Sequence, residues 1–131
     1  MEPTEKTEPP AVILVVDNDR DTLTVHERVL SSAGFRVVSA SRAAEALEYA
    51  RATRPDAIIT DLRLPGPMDG ADLIREVRRD AALRDVPIVA VSGGKDIDLA
   101  GVPMATLLRK PVSPRALVSH VRAVILSARS A

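Results

Sequence analysis

Three features of this 131-residue chain predict an α/β fold, a doubly wound sheet of five parallel strands with helices on both faces. Five short Val/Ile/Leu-rich runs are mostly continuous rather than alternating, the pattern of strands buried on both sides. Longer amphipathic segments separate them, which calls for right-handed β-α-β crossovers. Polar side chains stand at the ends of several runs, where open parallel sheets place their ligands.

The first strand is predicted at Ala11–Asp17 and ends in a crowd of Asp17, Asn18, Asp19 and Asp21. Like charges that close cost free energy unless a cation relieves them, so the crowd is either a cation site or a helix cap. The next helix, Arg20–Ala33, sets Thr22, Val25, His26, Val29, Leu30 and Ala33 on one face, and Gly34 stops it. A strand at Arg36–Ser39 precedes a helix at Arg42–Arg54, with Ser41 as its N-cap and Pro55 as its stop. The third strand, Asp56–Asp61, leads through the turn "LPGPMDG" into a helix at Ala71–Asp80. The fourth strand is Pro87–Ser92. Between Gly94 and Pro103, "KDIDLA" leaves room for about two helical turns, a shortened fourth helix. The fifth strand, Thr106–Arg109, is followed by the last helix, Pro114–Ala128, with Ser113 before it and proline at its first position. Leu117, Val121, Val124 and Ala128 form its expected inner face. Val118 and Leu126 are left as exposed apolar residues.

Composition sets limits. The length suits one domain over residues 11–131, and the acidic, proline-rich "MEPTEKTEPP" reads as a disordered tail over residues 1–10. Lys+Arg and Asp+Glu balance at 18 each, so whole-chain charge argues for neither nucleic acid nor an anionic membrane. The absence of cysteine excludes disulfides, thiol chemistry and Cys-based zinc sites, and fits a cytoplasmic protein. The longest apolar run, Ala11–Val16, is too short to span a bilayer. Charge is nonetheless segregated: no acid follows Asp98, whereas Arg109, Lys110, Arg115, Arg122 and Arg129 do.

The residues at the predicted strand ends are Asp17, Asp61, Ser92 and Lys110. Two carboxylates, a hydroxyl and an ammonium on one rim suit phosphoryl chemistry. Magnesium takes one or two carboxylates plus phosphate oxygens, lysine holds a phosphate as a point charge, and a carboxylate can act as nucleophile. Singly, each has a plainer job as cap, turn or solvated strand end; jointly, on four strand ends, they point to a site. His26 and His120 are expected to be packing or surface residues.

"ILVVDND", "DAIITDLRLPGPMDG", "PIVAVSGG" and "LLRKPVSP" resemble, in order and near-family spacing, the receiver domain of two-component response regulators. The resemblance covers about residues 11–128. It implies the flavodoxin-like strand order 2-1-3-4-5, for which a chemotaxis receiver is a standard example. It also implies that Asp61 accepts a phosphoryl group from a histidine kinase or histidine phosphotransfer protein. Asp17, Asp61 and the backbone carbonyl of Arg63 would hold Mg2+, with Asn18 standing where a second acid is common. Lys110 would pair with the phosphoryl group and Ser92 would swing toward it. The domain would then be no enzyme beyond its own phosphotransfer. Asp19 is read as the cap of the first helix. Two further departures fall on the family's output face: Leu107 replaces a common Tyr or Phe, and the stretch from Ser92 to Lys110 is about a helical turn short.

Two other readings compete. "VVDNDRDTL" is also similar to the strand-end motif of haloacid-dehalogenase-type phosphatases, but these need acids after their lysine, and none is present. A pseudo-receiver, a binding module never phosphorylated, is favoured by Asn18 and opposed by Asp61, Ser92 and Lys110. "DNDRD" replaces the Gly-rich turn of a dinucleotide-binding domain. With no DNA-reading helix pair, aromatic RNA platform or catalytic output domain in view, the chain is expected to act through protein contact. The contact would run through the last helix (Arg115, Val118, Arg122 and Leu126), to a downstream protein or a second copy. Met1 and the tail suggest a natural start; a receiver cut from a hybrid kinase is the alternative.

Overall fold

The computed structural model describes residues 9–93 and 106–130. The elements are β1 (Val12–Val16), α1 (Arg20–Ser32), β2 (Arg36–Ala40), α2 (Ala43–Thr53), β3 (Ala57–Asp61), α3 (Gly70–Arg79), β4 (Ile88–Ser92), β5 (Thr106–Arg109) and α4 (Pro114–Ser130). The strands form one parallel sheet in the order β2-β1-β3-β4-β5, as the resemblance implied. The shortened helix expected between Gly94 and Pro103, and most of the predicted tail, lie outside the described residues.

Each face of the sheet has its own core. On one, Leu14, Val16, Ile58, Ile88 and Ala90 meet Ala43, Ala46, Leu47 and Ala50 of α2 and Leu73, Ile74 and Val77 of α3. On the other, Ile13, Val15, Ile59, Val89 and Val91 meet Leu30 of α1 and Leu117, Val121 and Ile125 of α4. Consecutive strand residues thus enter opposite cores, which is why the strands read as unbroken apolar runs.

Some inner faces differ from expectation. In α1, His26, Val29 and Leu30 turn inward as expected, but Val25 is 52% exposed and Leu23 packs against the core. In α4, Ile125 is buried, Ala128 is exposed, and Val118 is half-buried against the core instead of free. Leu126 is 64% exposed, as expected.

Helix ends follow local chemistry. Gly34 takes φ +99° after α1, a conformation favoured by glycine. Ser41 does not cap α2: the helix starts one residue later, at Arg42 as N-cap, and the Ser41 N–H donates to the Glu45 carboxylate at 3.2 Å. Pro55 bars the residue before it from the helical region, and Arg54 closes α2 at φ +50°. α3 opens with a reciprocal capping box between Asp69 and Asp72.

Candidate functional site

The parallel register carries four strand ends to one rim. β3 ends at Asp61 and β4 at Ser92, and the ladder runs one residue past β1 and β5. The Asp17 N–H donates to the Ala40 carbonyl at 3.1 Å and the Lys110 N–H to the Ser92 carbonyl at 2.8 Å. Asp17, Asp61 and Ser92 are buried, at 3%, 9% and 3% exposure.

Lys110 lies between the two carboxylates. Its Nζ is 3.0 Å from Asp61 Oδ2 and 3.4 Å from Asp17 Oδ2. The other oxygen of each acid accepts a backbone N–H two residues on: Asp19 N–H to Asp17 Oδ1 at 2.9 Å, and Arg63 N–H to Asp61 Oδ1 at 3.0 Å. These local turns hold both acids at fixed angles, so their second oxygens converge on one cation. Burial alone would push the Lys110 ammonium down in pKa. The hydrogen bond and charge of Asp61, with those of Asp17, outweigh it and hold it above its ordinary value.

Two acids facing one ammonium leave the cluster with a net negative charge. Among the described residues, no group of three or more His, Cys, Asp or Glu side chains gathers to hold a metal. Asp17 and Asp61 nevertheless match the hard-oxygen, one-or-two-carboxylate set that magnesium accepts. Asn18 is exposed beside them. Asp19 occupies the N-cap position of α1, its carboxylate accepting from the Thr22 hydroxyl at 2.5 Å. That bond is the main reason its pKa falls below the usual value. Arg63 is exposed, and its N–H is tied to Asp61.

Two residues gain weight from the geometry. A Cβ on Gly70 would lie 1.9 Å from the Asp61 carbonyl oxygen and 2.7 Å from Leu62 Cα. Only glycine lets the start of α3 pass so close to the end of β3, and the "DG" of the turn motif is its sequence signal. His26 is buried at 8% exposure, with no hydrogen-bond partner for Nδ1 among the described residues. It borders a cleft of about 540 Å³, lined also by Asp21, Thr22, Val25, Lys110 and Val112. Burial lowers its pKa; Asp17 opposes that shift and Lys110 reinforces it. His26 was expected to be a packing or surface residue, and its place beside this cleft needs the fold. His120 is half-buried on α4.

No helix among the described residues is long and apolar enough to cross a membrane. A family model described as the response regulator receiver domain matches residues 13–122. The chain is similar to the transcriptional regulatory protein PrrA of Mycobacterium leprae, 38% identical over 117 residues, which cover 86% of this chain and 49% of that one. It is 36% identical over 112 residues to the DNA-binding response regulator MtrA of the same species, covering 85% and 49%. The chain thus spans about half the length of the curated relatives it matches. Among solved structures, it resembles a putative response regulator from Chloroflexus aurantiacus, with TM-score 0.83 and 32% identity over 89% of this chain and 98% of that one. It also resembles the receiver domain of a sensor histidine kinase from Pseudomonas aeruginosa, described with magnesium coordinated in its active-site cleft. That match has TM-score 0.82 and 31% identity, covering 88% and 98%. The two-core sheet, the acid–lysine cluster on its rim and these likenesses agree: the chain belongs to the response regulator receiver domain family.

Proposed function

We propose that Asp61 accepts a phosphoryl group from a phosphohistidine of a histidine kinase or histidine phosphotransfer protein, and that the modified domain signals through changed protein contacts. The observation that carries this reading is the Lys110 ammonium held 3.0 Å from Asp61 and 3.4 Å from Asp17 at the strand ends. A carboxylate oxygen of Asp61 attacks phosphorus. The new O–P bond forms as the P–N bond breaks, and the bonding pair leaves with the imidazole, which takes up a proton. Lys110, charged well past neutral pH, then holds a phosphoryl oxygen, and the Ser92 hydroxyl donates to another. Asp17, Asp61, the Arg63 carbonyl and Asn18 would hold Mg2+, which when bound would offset the charge of carboxylates and phosphoryl group.

Output is assigned to α4, toward a downstream protein or a second copy. Of the four residues named for it, Arg115 and Leu126 are exposed and free of core packing, while Val118 is half-buried. Arg122 already donates to the Ala33 carbonyl at 3.1 Å and lies 5.9 Å from the Phe35 ring centroid, so part of its role is to tie α4 to α1. Leu107 is exposed on β5 and has no ring to rotate. A cytoplasmic location belongs to the same proposal.

Asn18, in place of a second acid, is the observation that favours a phosphorylation-independent module. Acetyl phosphate with magnesium separates the two. Intact-mass spectrometry should find one added phosphoryl group in the wild type and none in Asp61→Asn. No adduct in the wild type would support the pseudo-receiver; an adduct retained in Asp61→Asn would remove Asp61 as acceptor.

A further inference from the structure

α4 is a cationic surface without anions of its own. Arg115, Arg122 and Arg129 are exposed, and no Asp or Glu stands anywhere in the helix. Neither Arg115 nor Arg129 has a carboxylate partner among the described residues, and the contacts of Arg122 to a carbonyl and a ring leave its charge unneutralised. Beside the stripe, a groove of about 610 Å³ between α1 and α4 is lined by Val29, Pro114, Arg115, Val118, Arg122 and Leu126.

We propose that the acidic N-terminal segment of this same chain, residues 1–8, docks along the arginine stripe of α4 and covers that groove. The first support is charge: Glu2, Glu5 and Glu8 outnumber Lys6 there, and α4 holds three arginines and none of the chain's acids. The second is position. β1 runs toward the rim at Asp17 while α4 runs away from it after Lys110. At about 3.3 Å per strand residue, Ala11 lies roughly 20 Å below the rim. At about 1.5 Å per helical residue, Arg129 lies roughly 22 Å below the start of α4. Ala11 therefore stands at the end of the sheet away from the rim, the end toward which α4 also runs, on the strand whose Ile13 and Val15 pack in the same core as α4.

The third support is spacing. The arginines recur every seven residues, about 10.5 Å along a helix, with a drift of only about 20° per interval. The glutamates recur every three residues, about 9.3 Å in a polyproline II strand, the conformation that Pro3, Pro9 and Pro10 favour. Running back from the sheet, Glu8, Glu5 and Glu2 meet Arg129, Arg122 and Arg115 in turn. Tethering keeps the pairing local, at an effective concentration on the order of millimolar. Any masking of an output surface rests on the reading of α4 given above; the docking itself does not.

The absence of cysteine allows one nitroxide to be placed at Thr4→Cys in the full, isotope-labelled chain, with no partner or phosphodonor present. At low salt, amide peaks from Arg115 to Arg129 should lose intensity. They should regain it on neutralising Glu2, Glu5 and Glu8 to Gln, on reversing Arg115 and Arg129 to Glu, or at about 1 M salt, where the Debye length is about 3 Å. Loss confined to the start of β1, or loss that persists in either set of charge variants, would overturn the proposal. So would transfer of the effect to an isotope-labelled, nitroxide-free copy in a mixture, since the segment would then sit on a second molecule.

Discussion

At the scale of single residues, the rim depends on the balance between two acids and one ammonium. Among the described residues, Lys110 is the one cation between Asp17 and Asp61, and Asn18 supplies an amide where another acid would add repulsion. A unit-charge pair at ~4 Å is worth about 4 kcal/mol at an effective dielectric near 20. Desolvation and the amide oxygen offset most of that, leaving a deficit of roughly 1–2 kcal/mol in metal binding relative to a full acidic pair. Asn18→Asp should therefore tighten magnesium about tenfold and lower the metal-free melting temperature; an unchanged titration would mean that position 18 does not face the ion. His26 sets a different dependence. Its pKa is lowered in the fold, chiefly by burial, so below about pH 6.5 the unfolded chain binds the proton more readily. The stability it supports is whole above that pH and is lost as pH falls through the lowered value. Melting curves between about pH 7.5 and 5.5 should show a steeper loss in the wild type than in His26→Leu. Equal slopes would mean that burial leaves the proton affinity of His26 unchanged on folding.

At the scale of elements, the sequence disclosed periods better than faces. β5 has its predicted bounds, and the other strands differ from theirs by a residue at one or both ends. Faces were harder. In α1, Leu23 and Val25 are both apolar enough to turn inward, and the fold packs Leu23 with Val29 and Leu30 while leaving Val25 exposed. In α4, three consecutive apolar residues, Val124 to Leu126, could each have been the buried one. Ser41 is a good capping residue that does not cap, because the backbone enters the helix one residue later. The start of α3 is the element most tightly bound to the site, since Gly70 touches the backbone of Asp61 and Leu62. Overpacking of this kind costs roughly 1–3 kcal/mol and sometimes more, and here the nearest atoms are backbone. Gly70→Ala should lie at or beyond the top of that range in chemical denaturation and displace the Asp61 amide in an NMR spectrum. A loss below about 1 kcal/mol with an unmoved Asp61 signal would show that the two elements can separate.

At the scale of the whole molecule, the fold class and four strand-end residues were legible because a parallel sheet converts strand order into spatial convergence. Asp17, Asp61, Ser92 and Lys110 are far apart in the chain yet share one rim. What could not be read were contacts set by neighbouring elements: the cleft beside His26, the clamp of Arg122 on α1, and the closeness of Gly70 to Asp61. In the proposed function, this rim makes Asp61 the acceptor of a phosphoryl group. Borohydride reduces an acyl phosphate to the alcohol and leaves a free carboxylate intact, so it marks the acceptor permanently. After phosphorylation with magnesium present, reduction and peptide mass spectrometry should place the altered side chain at position 61 alone, with none in a magnesium-free control. A mark at Asp17, Asp19 or Asp21, or no mark on a folded, magnesium-supplied chain, would contradict the account.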